Sequence, residues 1–102
     1  MRDLGRRVVC TNGVFDLLHC GHVDYLARAA AFGDVLLVCV NDDAGVTALK
    51  GPSRPLNPSW ARAAVLAGLE SVGAVTVFPG ERATEALRLA APDVYVKGGD
   101  YT

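Results

Sequence analysis

The sequence has no excess of charge of either sign and no long apolar run. Ten lysines and arginines stand against eleven acidic residues, a formal net charge of −1, which leaves no basic field to hold duplex nucleic acid or an anionic membrane. No apolar run approaches the roughly eighteen residues of a membrane span, and no apolar segment follows the basic residues near the start as in a signal peptide. These absences predict a cytoplasmic protein with neither nucleic acid nor a membrane as partner.

Cysteines and aromatic residues are also few. The three cysteines, Cys10, Cys20 and Cys39, are an odd number, and two of them lie in apolar runs, which predicts reduced thiols rather than a disulfide framework. Aromatic residues make up 7% of the chain while hydrophobic residues make up 51%, typical of a folded domain with an aliphatic core. The length of 102 residues predicts one domain over residues 1–102.

Short valine-rich runs alternate with helical patterns along the chain. Buried parallel strands have this continuous apolar character, and the helices between them cover both faces of the sheet. The fold class predicted is therefore α/β, a Rossmann-like open parallel sheet. The predicted strands are 7–12, 34–41, 74–78 and 93–97, and the predicted helices are 22–32, 58–70 and about 82–90.

Two features are expected between the second strand and the second of these helices. Asn57 and Pro58 predict a helix cap followed by a first-turn proline. The segment 42–57 is expected to be a stiff, exposed connector after about one helical turn at 43–49, because three prolines fall within residues 50–58 and proline both fixes φ and ends helices.

Ligands of open parallel sheets bind beyond the carboxyl ends of the strands. The loops expected at that edge are 12–21, 41–57, 78–81 and 97–100. They contain most of the chemically unusual residues of the sequence, so we expect the functional site there.

The segment from Thr11 to His22 leaves the first strand and enters a helix. Gly13 is expected to let the backbone approach a ligand, and Gly21 to leave free amides at a helix start, which favours phosphate binding. His19 and His22, three residues apart, can face one anion there and donate hydrogen bonds where charge develops. A zinc site from His19, Cys20 and His22 is a less favoured alternative on ligand type.

The His-x-Gly-His run, preceded by Gly-Val-Phe-Asp and placed between a strand and a helix, resembles the signature of the nucleotidylyltransferase superfamily. Further segments are similar to the D-glycero-β-D-manno-heptose 1-phosphate adenylyltransferase family, the nucleotidyl-transfer domain of ADP-heptose synthesis. They are 40–43, 49–58, Arg62 with 64–67, and 96–101.

The resemblance implies roles for individual residues. His19, His22, Lys50 and Arg62 are the candidate catalytic residues, meeting phosphate groups of the substrates. Nucleotide or phosphate binding is expected of Thr11, Asn12, Gly13, Phe15, Gly21, Lys97, Gly98 and Asp100. Acceptor binding is expected of Asp16, Asp42 and Arg54, the two aspartates by ordering acceptor hydroxyls or a metal-bound water. No dedicated protein metal site is expected, since Mg²⁺ would enter with the triphosphate.

The resemblance implies nucleotidyl transfer from a nucleoside triphosphate to a phosphorylated small molecule, with release of pyrophosphate. ATP and heptose 1-phosphate, giving ADP-heptose, are the leading substrates. The alternative within the same chemistry is CTP with a small phosphate or phosphonate, such as glycerol 3-phosphate or a hydroxyalkyl phosphonate. The alternative of another class is a nucleotide-binding module without turnover.

One departure from the family motivates that last alternative. Members of the family continue past the Lys-Gly-Gly-Asp-Tyr segment with another strand and a last helix. A Ser-Thr-Thr turn at the start of that helix binds the β- and γ-phosphates. We expect the domain of residues 1–102 to lack both the strand and the helix. The resemblance is also compatible with a homodimer and with fusion to a further catalytic domain.

Overall fold

The computed structural model describes residues 7–96 of the chain. Within that range it has four strands and four helices. In chain order these are β1 (Val8–Gly13), α1 (Cys20–Ala30), β2 (Val35–Asn41), α2 (Asp43–Lys50), α3 (Ser59–Ala67), β3 (Ala74–Phe78), α4 (Thr84–Ala90) and β4 (Val94–Tyr95).

The strands form one parallel sheet in the order β3-β2-β1-β4. β2 pairs with β1 over six residues and with β3 over five, which explains why its apolar run has no polar alternation. The α/β prediction, a Rossmann-like open parallel sheet, is confirmed.

Each face of the sheet has its own apolar cluster. On one face, Val9 of β1 and Val38 of β2 pack with Leu26 of α1 and Leu66 of α3. A smaller cluster joins β2 and β3 to the start of α4 and contains Cys39, Phe78 and Ala83. Helices therefore cover both faces, as predicted.

The buried thiols belong to this framework. All three cysteines are free, Cys10 and Cys39 buried and Cys20 exposed. A hydrogen bond with the Cys39 thiol and burial raise the pKa of Cys10 far above its ordinary value. A thiol held in its neutral form is a poor nucleophile, so Cys10 serves as a small core residue.

The elements differ from the predictions mainly at their ends. β3 matches its predicted range, whereas α1 begins at Cys20 rather than at His22. The cap predicted for α3 at Asn57 is wrong: Pro58 is the N-cap, without a side-chain hydrogen bond. The Asn57 amide instead donates to the carbonyl of Asp16. α2 runs for eight residues from Asp43 to Lys50, one residue past the predicted range 43–49.

Candidate active site

The chain turns sharply where β1 ends. Phe15 has a positive φ of 50°, and its buried ring lies over Gly13, where an added Cβ would stand 2.7 Å from Phe15 Cε2. Gly13 therefore makes room for the Phe15 ring, a different task from the ligand approach expected of it. Phe15 in turn meets the ring of His22 edge-on, with centroids 5.4 Å apart and an interplanar angle of 64°.

His19 and His22 form the start of α1 together. Their rings stack with centroids 4.0 Å apart, although His19 is exposed and His22 is only 1% exposed. His19 is the N-cap, and its Nδ1 accepts a hydrogen bond from the Gly21 amide at 3.0 Å. The His22 Nδ1 accepts from the His19 amide at 3.3 Å, which completes a capping box made of two imidazoles.

This capping box determines the tautomer of both rings. A nitrogen that accepts a hydrogen bond carries no proton, so in each neutral imidazole the hydrogen is on Nε2. Both histidine side chains lie at a helix N-terminus, where the backbone dipole favours an anion. The Gly21 amide, expected to be free for phosphate, is instead bound to His19.

Two tyrosines fix the polar residues of β1. The fully buried Thr11 shares a hydrogen bond of 2.5 Å with the Tyr25 hydroxyl, which also donates to the Val96 carbonyl at 3.2 Å. Asn12 accepts a hydrogen bond from the Tyr95 hydroxyl. Thr11 and Asn12, expected to bind nucleotide, therefore join β1 to α1 and to the end of β4. Sequence analysis missed Tyr25, although its place three residues after His22 puts both on neighbouring positions of one helix face.

Asp16, expected at the acceptor, holds the 54–57 segment instead. Its carboxylate accepts hydrogen bonds from the amides of Leu56 and Asn57, both at 2.8 Å, and from the Arg54 guanidinium at 3.4 Å. Burial opposes its charged form, but these donors outweigh burial and lower the pKa of Asp16 below its ordinary value of 3.8. Asp16 is 8% exposed, so this carboxylate organises the loop, and Arg54 shares in that contact.

Replacing Asp16 with asparagine tests this interpretation. An asparagine side chain has one acceptor oxygen, so one loop amide loses its partner, and we expect a loss of about 1–3 kcal/mol in unfolding free energy at pH 7. The depressed pKa means that the charged form contributes stability above pH 3.8 and loses it as pH falls from there through the folded value. Urea unfolding at pH 7, 4 and 3 should therefore show the difference between wild type and Asp16→Asn shrinking at the lowest pH.

The matched control is Asp24→Asn. Asp24 pairs with Arg28 on the exposed surface of α1, so its replacement should change stability by less than about 1 kcal/mol at every pH. A difference between wild type and Asp16→Asn that stays constant from pH 7 to pH 3 would contradict the role assigned to the Asp16 carboxylate.

Asp42 and Asn41 clamp the loop that follows β3. Asp42 Oδ1 caps α2 by accepting from the Gly45 amide at 2.7 Å and also accepts from the Gly80 amide at 3.2 Å. The buried Asn41 side chain donates to the carbonyls of Gly80 and Glu81 at 2.9 and 3.2 Å. In the structure Asp42, expected at the acceptor, serves as a helix cap and loop anchor. Asn41 also holds this loop, a contact that the sequence did not reveal.

Arg62 departs furthest from its expected role. It was expected to meet phosphate from the first turn of a helix, but it is 2% exposed and donates to the carbonyls of Val14, Asn41 and Asn57 and to the Asp43 carboxylate. Its guanidinium therefore faces the protein interior. The physical reason is the i, i+4 spacing to the buried Leu66, which places Arg62 on the inner face of α3.

The remaining candidates are distributed as follows. Lys50 is exposed on the last turn of α2, and 42% of the Arg54 side chain is exposed. Lys97, Gly98 and Asp100 lie outside the described residues. In the described part of the chain, no three His, Cys, Asp or Glu side chains group so as to hold a metal ion. Over the same range no helix has the length and apolar character needed to cross a membrane.

The parallel sheet, with paired imidazoles at a helix N-terminus beyond the end of β1, agrees with the nucleotidyltransferase class that the sequence resemblance predicts. The family model described as cytidylyltransferase-like matches residues 10–102. The chain belongs to the cytidylyltransferase-like family. It is a nucleotidyltransferase domain, and the resemblance drawn from the His-x-Gly-His segment is confirmed.

Curated relatives cover nearly the whole chain. It is 56% identical over 100 residues to the bifunctional protein HldE of Alkalilimnicola ehrlichii and 55% identical over 100 residues to that of Wolinella succinogenes. Each alignment covers 98% of this chain and 21% of the relative. The chain thus spans about a fifth of the length of these relatives, which are bifunctional by name.

A solved structure has the same fold. The lipopolysaccharide core biosynthesis protein from Thermoplasma volcanium GSS1 superimposes with a TM-score of 0.80 at 27% sequence identity. The match covers 89% of this chain and 73% of that one.

Proposed function

We propose that this domain transfers the adenylyl group of ATP to a heptose 1-phosphate, giving ADP-heptose and pyrophosphate. The observation that carries the proposal is the identity of 50–56% over nearly the whole chain to bifunctional HldE proteins, together with the resemblance to the heptose 1-phosphate adenylyltransferase family. Nucleotidyl transfer itself follows from the family. Because the relatives are bifunctional, a second catalytic activity in the same polypeptide is part of the proposal.

In the reaction proposed, an oxygen of the acceptor phosphate forms a bond to the α-phosphorus of ATP. The bond from that phosphorus to the oxygen bridging toward the β-phosphate breaks, and pyrophosphate leaves. Catalysis of such a transfer consists mainly of positioning and of neutralising charge. The Nε2–H groups of His19 and His22 are the donors proposed to meet the phosphate oxygens, and the exposed Lys50 is the cation proposed to face the α-phosphate or the acceptor phosphate.

Mg²⁺ is proposed to arrive with the triphosphate. Asp16 and Asp42 are each bound to backbone amides, so phosphate oxygens and water fit better as its ligands than these carboxylates do. When bound, the ion would neutralise charge on the transferring and leaving groups.

The second candidate keeps the chemistry and changes the substrates. The match to the cytidylyltransferase-like family model favours CTP with a small phosphate or phosphonate. The residues proposed to contact the base, Lys97, Gly98 and Asp100, lie outside the described range, so the choice of base is tested by experiment.

The decisive measurement is product mass spectrometry with Mg²⁺. ATP and CTP are offered in parallel against heptose 1-phosphate, glycerol 3-phosphate and hydroxyethyl phosphonate. ADP-heptose is the expected product, whereas a CDP-alcohol or CMP-phosphonate would move the protein to the second candidate. If no pair reacts and the protein binds nucleoside monophosphate as tightly as triphosphate, the nucleotide-binding module replaces both.

A further inference from the structure

We propose that Arg62 is a positioning residue of the site, a single guanidinium that sets the relative placement of its loops. Nη1 donates to the Val14 carbonyl, just after β1, at 2.9 Å and to the Asn41 carbonyl at the end of β2 at 2.8 Å. Nε donates to the Asn57 carbonyl at 3.0 Å, and Nη2 to Asp43 at the start of α2 at 2.7 Å. The Arg62 side chain of α3 thus contacts four separate residues around the site.

A short path leads from Arg62 to the imidazoles. The carbonyl that it holds belongs to Val14, and the next residue is Phe15, whose positive φ directs its ring over Gly13 and against His22. If Val14 moves, the ring that supports His22 moves with it. Arg62 therefore acts on His22 through Val14 and Phe15, without contact between the two side chains being required.

The chemistry of the contact requires arginine. A guanidinium presents five N–H donors in a rigid planar fork, while a lysine ammonium is a compact point charge on a flexible stem. The carbonyls of Val14, Asn41 and Asn57 accept from different N–H groups on Nε and Nη1, which matches the spread of donors on a guanidinium. The Arg62 side chain is fully buried, so a shorter or unforked replacement leaves buried carbonyl oxygens without donors.

The test rests on the nucleotidyl transfer proposed above and compares Arg62→Lys, Arg62→Met and Cys39→Ala with the wild type. Displacing reacting groups by about 1 Å costs roughly 100-fold in rate, so both Arg62 variants should lose about that factor in kcat, with KM for ATP changed by less than about threefold. Assays run well below the unfolding midpoint of each variant. Cys39→Ala truncates a buried side chain in the other apolar cluster, away from Phe15, and should lower stability while retaining kcat.

A second readout needs no turnover. The protein has two histidines, so long-range ¹⁵N spectra of the imidazoles report the tautomers of His19 and His22 directly. The His22 nitrogen shifts should move in both Arg62 variants and should stay at wild-type values in Cys39→Ala. Arg62→Lys alone suffices if Arg62→Met does not fold.

Two results would overturn the proposal. One is an Arg62→Lys protein whose kcat and His22 shifts match those of the wild type, and the other is a Cys39→Ala protein that loses as much kcat as the Arg62 variants. If the wild type turns over none of the substrates, the proposed function fails, and the imidazole spectra alone decide the role of Arg62.

Discussion

Replacing His22 with alanine should lower kcat by at least about 100-fold, because one preorganised donor to a developing oxyanion typically contributes 10²–10³ in rate. The donor proposed for this site is the Nε2–H of the buried His22 ring, whose Nδ1 accepts from the His19 amide. Its loss also removes the stacking partner of His19. Turnover is measured by pyrophosphate release, and folding by circular dichroism at the same temperature.

The variant His22→Asn removes the Nε2–H donor and keeps an acceptor for the capping hydrogen bond. The Oδ1 of asparagine stands close to where Nδ1 stands in histidine, so it can still accept from the His19 amide, but the Nε2–H donor is gone. We expect this variant to fold and to lose activity like His22→Ala. Val23→Ala, at the exposed next position of α1, is the matched control and should retain activity. A His22→Asn protein within about threefold of the wild-type kcat would disprove the donor role, given the effect expected of such a group.

Replacing Gly45 with alanine should destabilise the fold by about 1–3 kcal/mol, the usual cost of overpacking. Gly45 is buried in α2, and an added Cβ would stand 2.0 Å from the Gly80 carbonyl oxygen and 3.0 Å from Asp42 Oδ1. Both neighbours belong to the clamp between α2 and the loop after β3, so the methyl group must force the two segments apart. Chemical denaturation gives the difference in unfolding free energy.

Gly68→Ala is the control for this measurement. Gly68 has a helical φ of −79° at the end of α3, and an added Cβ would have ordinary contacts of 3.4 Å or more. Alanine there should be neutral or should stabilise the protein by up to about 1 kcal/mol, since it narrows the unfolded ensemble. Equal stabilities for the two variants would show that α2 and the 78–81 loop do not pack as closely as the structure has them.

The strands were predictable because their signal is local. β2 and β3 are short apolar runs between polar or glycine-containing segments, and the observed range of β3 agrees with the predicted one. The helix ends were harder to predict because tertiary contacts decide which residue caps a helix. His19 is not among the common N-cap residues, and Asn57, which is, turns its amide toward the Asp16 carbonyl in the folded chain.

The position of the site in the fold could be predicted from the sequence, whereas the contacts of its individual residues were harder to predict. The placement of His19 and His22 at a helix start beyond β1 agrees with the sequence prediction. Asp16, Asp42 and Arg62 were expected to meet ligands because of the family resemblance, and in the structure each is bound to backbone groups distant in sequence. Arg62 and Val14 are 48 positions apart, a pairing that no local pattern contains. The spacing from Arg62 to Leu66 was the one available signal.

The hydrogen bonds that hold the loops of the site leave the exposed side chains of those loops free to differ among related domains. Asp16, Asp42 and Arg62 bind backbone atoms, and these hydrogen bonds do not depend on which side chains the loops present to solvent. Exposed positions of those loops, such as Leu17, Ser53 and Leu56, can change without disturbing the frame. A domain built in this way can acquire a new acceptor specificity by surface substitution while its histidine pair stays in place, which suits a fold that serves many substrates.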